Sequence, residues 1–216
     1  MKLLAINSAF LESFIEYNNG DKLICSKLDS SLRHSENLLP EIEKVLGEDK
    51  VKDLDSIAVV VGPGSFTGIR IGVAIAKAFM LANEKIKAIS INSLELLASE
   101  YLKGKKESKD FWCVLNALSG NYFVQKFSKS GESLCEPHMV NGEELEKIKN
   151  EYIVSLLSND IEFANERIEF KSETLYNLAS KKAESNDFVT ENNLLPLYLR
   201  LSQAEQELKE KEKNAN

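Results

Sequence analysis

The segment with the clearest chemical potential is glycine-rich and precedes a predicted helix. It contains Gly62, Gly64, Ser65 and Thr67. Such a turn can aim backbone N–H groups at a phosphate, and the helix dipole adds to the attraction. The segment lacks the lysine and hydroxyl of a G-x-x-x-x-G-K-[ST] loop. Two interpretations stay open, a tight strand-to-helix turn, which isolated glycines favour, and a turn that holds an anion.

The other residue types that often do chemistry are sparse. The two histidines, His34 and His138, lie far apart and show no H-x-x-x-H spacing, which disfavours zinc chemistry. The three cysteines form no C-x-x-C pair, as is typical of reduced thiols. Ser65 has no evident base beside it and is better explained as a helix N-cap. The sequence predicts no catalytic residue, no metal site and no cofactor beyond a weakly bound nucleotide at the turn.

Composition limits the function classes further. The chain has 216 residues with 27 basic and 34 acidic side chains, a net charge of −7. This balance disfavours a protein that holds nucleic acid by its own charge, although Lys103, Lys105, Lys106 and Lys109 leave a local basic patch open. The first apolar run stops at Asn7, and no 18-residue window is apolar throughout. We expect a cytoplasmic protein with no membrane partner.

The positions of apolar residues and breakers predict an α/β chain in two lobes. Residues 1–102 are expected to fold as βββαβαβα and to begin with an antiparallel meander of three strands. A charged connector follows at residues 103–110, and a second α/β lobe at residues 111–203. The tail at residues 204–216 alternates Glu and Lys, so it is either a frayed helix or disordered.

The predicted helix at residues 66–83 is apolar nearly all round. Its small residues form two rows at i, i+4 spacing: Gly68, Gly72 and Ala76, and Ala74, Ala78 and Ala82. A glycine inside a helix costs about 1 kcal/mol against alanine, so two of them indicate close approach by another backbone. That backbone belongs either to the same lobe or to another subunit, and the sequence leaves the two alternatives even.

A partner subunit would also contact the predicted helix at residues 35–47, in which we expect Pro40 to occupy the first turn. In both helices the apolar and small residues would supply the contact. The predicted interface residues are Leu38, Leu39, Ile42, Val45, Leu46, Gly68, Ile69, Gly72, Val73, Ala76, Phe79 and Met80.

Four segments together resemble the TsaB (YeaZ) family. The residues at 62–72, GPGSFTGIRIG, follow the family's pattern without a gap. The opening LLAINSA at residues 3–9 and the closing PLYLR at residues 196–200 support the match. So do the stretches HSE at residues 34–36 and LP at residues 39–40. The resemblance covers the chain well to about residue 100 and only at scattered positions after that.

The resemblance implies a two-lobed, actin-like fold of the sugar-kinase and Hsp70-type ATPase (ASKHA) class. It also implies a role in making threonylcarbamoyladenosine beside the anticodon of tRNAs that read codons starting with A. In that system TsaB-like proteins pair with their catalytic paralogue TsaD, and the ATPase TsaE joins the pair. We expect a homodimer when the chain is alone, and contact with tRNA only through the complex.

The chain departs from the catalytic relatives of this family at three places. Asn7 and Asn116 stand where aspartates would hold hydrated magnesium, and an amide lacks the negative charge for that task. Ser93 and Leu97 stand where TsaD has the two histidines of its metal motif. The sequence therefore predicts a non-catalytic partner of TsaD. The alternatives are an active ATPase or small-molecule kinase of the same fold, which would need magnesium, and a metallopeptidase, which would need zinc.

Overall fold

The computed structural model describes residues 1–28, 34–103 and 109–199. Part of the predicted connector and all of the predicted charged tail lie outside this range. The elements follow one another in this order: β1 (Leu3–Asn7), β2 (Phe14–Asn18), β3 (Leu23–Lys27), α1 (His34–Leu46), β4 (Ser56–Gly62), α2 (Phe66–Ala82), β5 (Lys87–Asn92), α3 (Ser93–Leu102), β6 (Phe111–Leu118), β7 (Asn121–Phe127), β8 (His138–Asn141), α4 (Gly142–Glu146), β9 (Ile153–Leu156), β10 (Glu166–Ile168) and α5 (Thr174–Glu184).

The first sheet has the strand order β3-β2-β1-β4-β5. Strands β1 to β3 form the predicted antiparallel meander, and β1, β4 and β5 run parallel. Every residue of β1 and β4 is buried, as expected of parallel strands with both faces covered. Helices α1 and α2 pack on each other and on this sheet, and α3 and α5 form a second such pair.

One detail of α1 differs from the prediction. The helix begins at His34, so Pro40 lies inside it and not in its first turn. A proline there removes one backbone hydrogen bond from the helix. The burial of Leu38 and Ile42 against the first sheet keeps this turn helical despite that loss.

The second sheet has the order β10-β9-β6-β7-β8 and mixes both directions. Strands β6, β7 and β8 are antiparallel, whereas β9 and β10 run parallel to β6. One buried cluster joins α3 to this sheet, and a smaller one lies around Val114 and Leu145. Strands β8 and β10 were not predicted, because neither short segment shows a clear apolar alternation.

The chain returns to the first sheet after the second. Helix α5 packs on β1, β2 and β5, and Val189 forms a bridge with Ala88 of β5. The Leu197 N–H donates to the Val61 carbonyl at 2.8 Å. The predicted division assigned all of residues 111–203 to the second lobe. This packing instead places α5 and the segment that follows it on the first sheet.

Two buried carboxylates hold the start of α5 in place. Glu16 of β2, 1% exposed, accepts the N–H groups of Glu173 at 2.8 Å and of Tyr176 at 2.7 Å. Glu100 of α3 accepts a hydrogen bond from the Thr174 hydroxyl. The two bonds to Glu16 satisfy backbone N–H groups at the helix terminus that have no partner inside the helix. Burial raises the pKa of the Glu16 carboxyl, although the two backbone donors act in the opposite direction.

We predict that Glu16→Gln lowers the free energy of unfolding at neutral pH by about 1–3 kcal/mol, because an amide has one acceptor oxygen and leaves a buried N–H unpaired. The pKa of Glu16 is raised on folding from 4.5, so the native state binds the proton more tightly. Its contribution to stability therefore falls as pH rises from 4.5 through the folded pKa. Glu16→Gln has no proton to gain or lose at this position, so its stability should lack this fall with pH. Urea unfolding at several pH values would measure both effects.

The matched control is Glu12→Gln, because Glu12 is exposed two residues before β2. It should keep both the wild-type stability and the wild-type pH dependence. Other carboxyls contribute equally to all three proteins, so the difference between them reports Glu16. Identical pH profiles for the wild type and Glu16→Gln would contradict the assignment.

Candidate functional site

Three of the segments that carry the family resemblance, the opening, glycine-rich and closing ones, meet at the carboxyl ends of β1 and β4. The turn after β4 lies on the residues that follow β1, where the Ser65 N–H donates to the Ala9 carbonyl at 2.8 Å. The Ser8 hydroxyl donates to the Gly68 carbonyl at 2.8 Å. The closing segment adds Leu197, whose N–H bonds to Val61 near the end of β4. Sequence motifs nearly 200 residues apart thus form one site.

The glycine-rich turn is shaped by close backbone contact. Gly62 has φ of +113°, and a Cβ on Gly64 would lie 2.3 Å from the Ala9 carbonyl oxygen. Ser65 is the helix N-cap, as predicted, and its hydroxyl oxygen accepts the Gly68 N–H at 3.2 Å. Two N–H groups of the turn therefore have acceptors within the chain. This favours the tight-turn interpretation; anion binding by the remaining groups, beside the exposed Thr67, stays a prediction.

The first row of small residues on α2 faces inward. A Cβ on Gly68 would lie 1.9 Å from the Ser8 carbonyl oxygen. A Cβ on Gly72 would lie 2.6 Å from Ser8 Oγ and 3.2 Å from the Val59 side chain. The close approach that the glycines indicated is thus made within the same lobe, by the end of β1.

Because the glycine row packs inside the chain, the predicted interface on α1 and α2 needs correction. Most of its residues are buried in the chain's own core, because α1 and α2 turn these rows toward each other and toward the sheet. The buried ones are Leu38, Ile42, Val45, Leu46, Gly68, Ile69, Gly72, Val73 and Ala76. Leu39 is 45% exposed, and Phe79 and Met80 are partly buried. The second row, Ala74, Ala78 and Ala82, is exposed instead.

We predict that Gly68→Ala destabilises the chain by about 1–3 kcal/mol or more, because the added methyl group overlaps a backbone oxygen that cannot move freely. The control is Gly142→Ala at the start of α4, where the nearest atom to a Cβ is 3.9 Å away. Urea unfolding would measure both. Equal midpoints for the two variants would contradict the close docking of α2 on Ser8.

At the four positions that differ from the catalytic relatives, two side chains form hydrogen bonds in turns and two are buried. Asn7 is fully buried; its Oδ1 accepts the Ala9 N–H at 3.1 Å and its Nδ2 donates to the Glu12 carbonyl at 3.4 Å. The Asn116 Oδ1 accepts the Leu118 N–H at 2.7 Å, at the hairpin between β6 and β7. Two buried residues complete the set: Ser93, whose hydroxyl has no hydrogen-bond partner in the described structure, and Leu97.

We predict that Asn7→Asp destabilises the chain by about 1–3 kcal/mol, because the carboxylate would be buried and would face the Glu12 carbonyl that now accepts a hydrogen bond. Thermal unfolding with and without millimolar Mg-ATP would measure the effect. Asn116→Asp is the comparison, because Asn116 is exposed and should tolerate the charge. A stable Asn7→Asp variant that Mg-ATP stabilises would contradict a purely structural role for Asn7.

An exposed cluster beside the turn was missed by sequence reasoning. The Arg70 Nε donates to the Tyr198 hydroxyl at 2.7 Å, and the guanidinium carbon lies 4.1 Å from the centroid of the Phe66 ring. The rings of Phe66 and Tyr198 are 5.1 Å apart, and each residue is 45% exposed. The sequence did contain a sign of this cluster, because Arg70 is one of two charged residues in an otherwise apolar helix.

The remaining candidates are isolated. His138 is exposed on β8, and its Nδ1 lies 2.9 Å from the Glu136 carbonyl oxygen. The His34 side chain lies outside the described residues. In the described part of the chain, no three His, Cys, Asp or Glu side chains are grouped to hold a metal ion. No helix in that part is long and apolar enough to span a bilayer.

The two sheets, the parallel β1–β4–β5 core and the glycine-rich turn define a protein of the two-lobed, actin-like α/β class, as predicted. A family model described as TsaD, tRNA N6-adenosine threonylcarbamoyltransferase, matches residues 28–206. The chain belongs to this family. The resemblance seen in the sequence is confirmed, because the curated relatives below carry the name TsaB and the matching structures the name YeaZ.

The chain is 30% identical to the tRNA threonylcarbamoyladenosine biosynthesis protein TsaB of Buchnera aphidicola subsp. Acyrthosiphon pisum, over 62% of this chain and 64% of that protein. It is 26% identical to TsaB of Escherichia coli (strain K12), over 71% of this chain and 64% of that protein. The matches thus span slightly less than two thirds of either relative. YeaZ from Pseudomonas aeruginosa shares the fold, with a TM-score of 0.75, 18% identity and coverage of 92% of this chain and 99% of that one.

Proposed function

We propose that the chain is a non-catalytic subunit that pairs with TsaD and is required for threonylcarbamoyl transfer to adenosine in tRNA. The names of its TsaB relatives support the pathway. The paralogy with TsaD is supported by the family match and by 45% identity over 64 residues to a tRNA N6-adenosine threonylcarbamoyltransferase of Erythrobacter litoralis. That second match covers 29% of this chain and 18% of the transferase.

The outer face of α2 carries this proposal. Leu81 is 70% exposed and follows the exposed row of Ala74 and Ala78. Leu39, 45% exposed, lies on α1, which packs beside α2, and we include it in the proposed surface. We call this surface, formed by Leu39, Ala74, Ala78, Leu81 and Ala82, the outer helix face. Exposed apolar residues grouped on one helix face are typical of a protein–protein interface, and the alanines let a second helix approach closely.

The side chains at the end of β1 support the non-catalytic part of the proposal. Asn7 uses both ends of its amide to shape the turn after β1, and Asn116 uses its oxygen in the same way within the last residues of β6. A magnesium ion requires charged oxygen ligands that neither residue supplies. In the proposed complex TsaD carries the chemistry and TsaE joins as a third component. When TsaD is absent, a second copy of this chain would cover the outer helix face.

We predict that Ala78→Arg abolishes the complex with the TsaD of the same organism, because a long charged side chain would stand where the partner helix packs. Light scattering after gel filtration of each protein and of their mixture would measure this. The control is Asn177→Arg, an exposed position on α5. Both variants should unfold at the wild-type urea concentration, and only Ala78→Arg should leave two separate peaks.

Two results would contradict the proposal. If the wild-type proteins elute as separate peaks well above micromolar concentration, the proposed pairing with TsaD is wrong. The ATPase or kinase alternative would then be tested by thermal stabilisation with Mg-ATP. A complex that forms equally well with Ala78→Arg would place the interface on another surface.

A further inference from the structure

An open groove of about 810 Å³ lies between the outer strands of the two sheets. Its basic residues come from four places along the chain: Lys27 at the end of β3, Lys103 after α3, Arg167 of β10, and Lys171 before α5. All four are exposed. The sequence indicated only Lys103 and its neighbours, whereas the fold brings three distant basic residues to it.

The charge of this groove contrasts with the rest of the chain. Four cations line it against two carboxylates, Glu100 and Glu169, while the whole chain has a net charge of −7. Glu100 is 7% exposed, and it accepts the Lys171 N–H at 3.1 Å as well as the Thr174 hydroxyl. The groove is therefore a local positive surface on an acidic protein.

These cations bond mainly to carbonyl oxygens, as Arg167 does to the Ile161 carbonyl at 2.7 Å, although Lys103 also attracts the buried Glu16 carboxylate. Lys27 donates to the Phe170 carbonyl at 3.4 Å, and Lys103 to the Ser172 carbonyl at 3.1 Å. Among the described residues none of the four forms a salt bridge, whereas lysines elsewhere do: Lys2, Lys44, Lys126, Lys149 and Lys182. A carbonyl oxygen orients an ammonium group but leaves its charge in place, so the groove can attract an anion.

We propose that this groove binds the phosphodiester backbone of RNA, so that the chain contributes to holding the tRNA on which the proposed complex acts. The inference rests on the proposed function for the identity of the RNA. A small anion is bound by an enclosed set of polar groups, but here the cations are exposed, belong to separate elements and surround an open groove. Separated charges of this kind match a polyanion, whose phosphates repeat along its length.

The test compares two double charge reversals in the complex with TsaD. Lys27→Glu with Lys171→Glu removes two groove cations that form no salt bridge with any residue in the described ranges. Lys22→Glu with Lys147→Glu makes the same change in net charge at exposed lysines outside the groove. Fluorescence anisotropy of labelled tRNA, measured at several salt concentrations, gives the affinity and its salt dependence. Light scattering first establishes whether each variant forms the complex.

The groove variant should weaken tRNA binding about tenfold or more and reduce the slope of log affinity against log salt by roughly 1.4–1.8, the value for two phosphate contacts. The control variant should retain the wild-type affinity within about twofold. Equal weakening by both variants, or no weakening by the groove variant, would overturn the proposal.

Two further measurements separate the possible causes of failure. If the wild-type proteins form no complex, the proposed function fails. The same pair of variants is then compared as free chains with tRNA at low salt, and this comparison shows whether the groove binds RNA. If inorganic phosphate stabilises the wild type but not the groove variant, while tRNA affinity is unchanged, the groove binds free phosphate and the RNA assignment is overturned.

Discussion

The backbone of α2 lies so close to the end of β1 that a side chain at Gly68 has no room. The Ser8 carbonyl oxygen occupies the position that a Cβ would need, and the Ser8 hydroxyl bonds to the helix from the same side. This contact fixes the rotation of α2 about its axis. Once the glycine row faces inward, the alanine row and Leu81 must face solvent. A separate hydrogen bond, from the Ser65 N–H to the Ala9 carbonyl, holds the glycine-rich turn beside this contact, so the turn, the helix and the end of the first strand pack together.

A second constraint joins the two halves of the chain. Glu16 and Glu100 reach from the first lobe to the start of α5. Glu16 accepts two backbone N–H groups that the helix cannot satisfy itself, and Glu100 accepts the Thr174 hydroxyl and the Lys171 N–H just before the helix. Their burial is costly for a carboxylate unless such donors are present. The segment that they hold also carries Lys171 and places it beside Lys27 and Lys103. A structural requirement of α5 thus assembles the basic groove.

The sequence predicted the elements of the first lobe well, because its strands are continuous apolar runs and its helices have clear periodicity. It assigned the glycine row of α2 to a partner interface, whereas that row packs on the end of β1, because glycines and alanines form two similar rows along the helix. The side chain of Asn7 was singled out only for its lack of charge, and its role in the turn after β1 depends on the position of the Glu12 carbonyl. The return of α5 to the first sheet was missed, because the partners of Glu16 lie more than 150 residues further along the chain.

The central claim is that the outer helix face is covered in a complex with TsaD. Hydroxyl-radical footprinting with mass spectrometry tests it directly on the wild-type proteins. The account predicts that Leu81 and Leu39 are oxidised in the free chain and protected in the mixture. Leu134, 49% exposed between β7 and β8, should be oxidised equally in both. Oxidation of Leu81 to the same extent with and without bound TsaD would contradict the account.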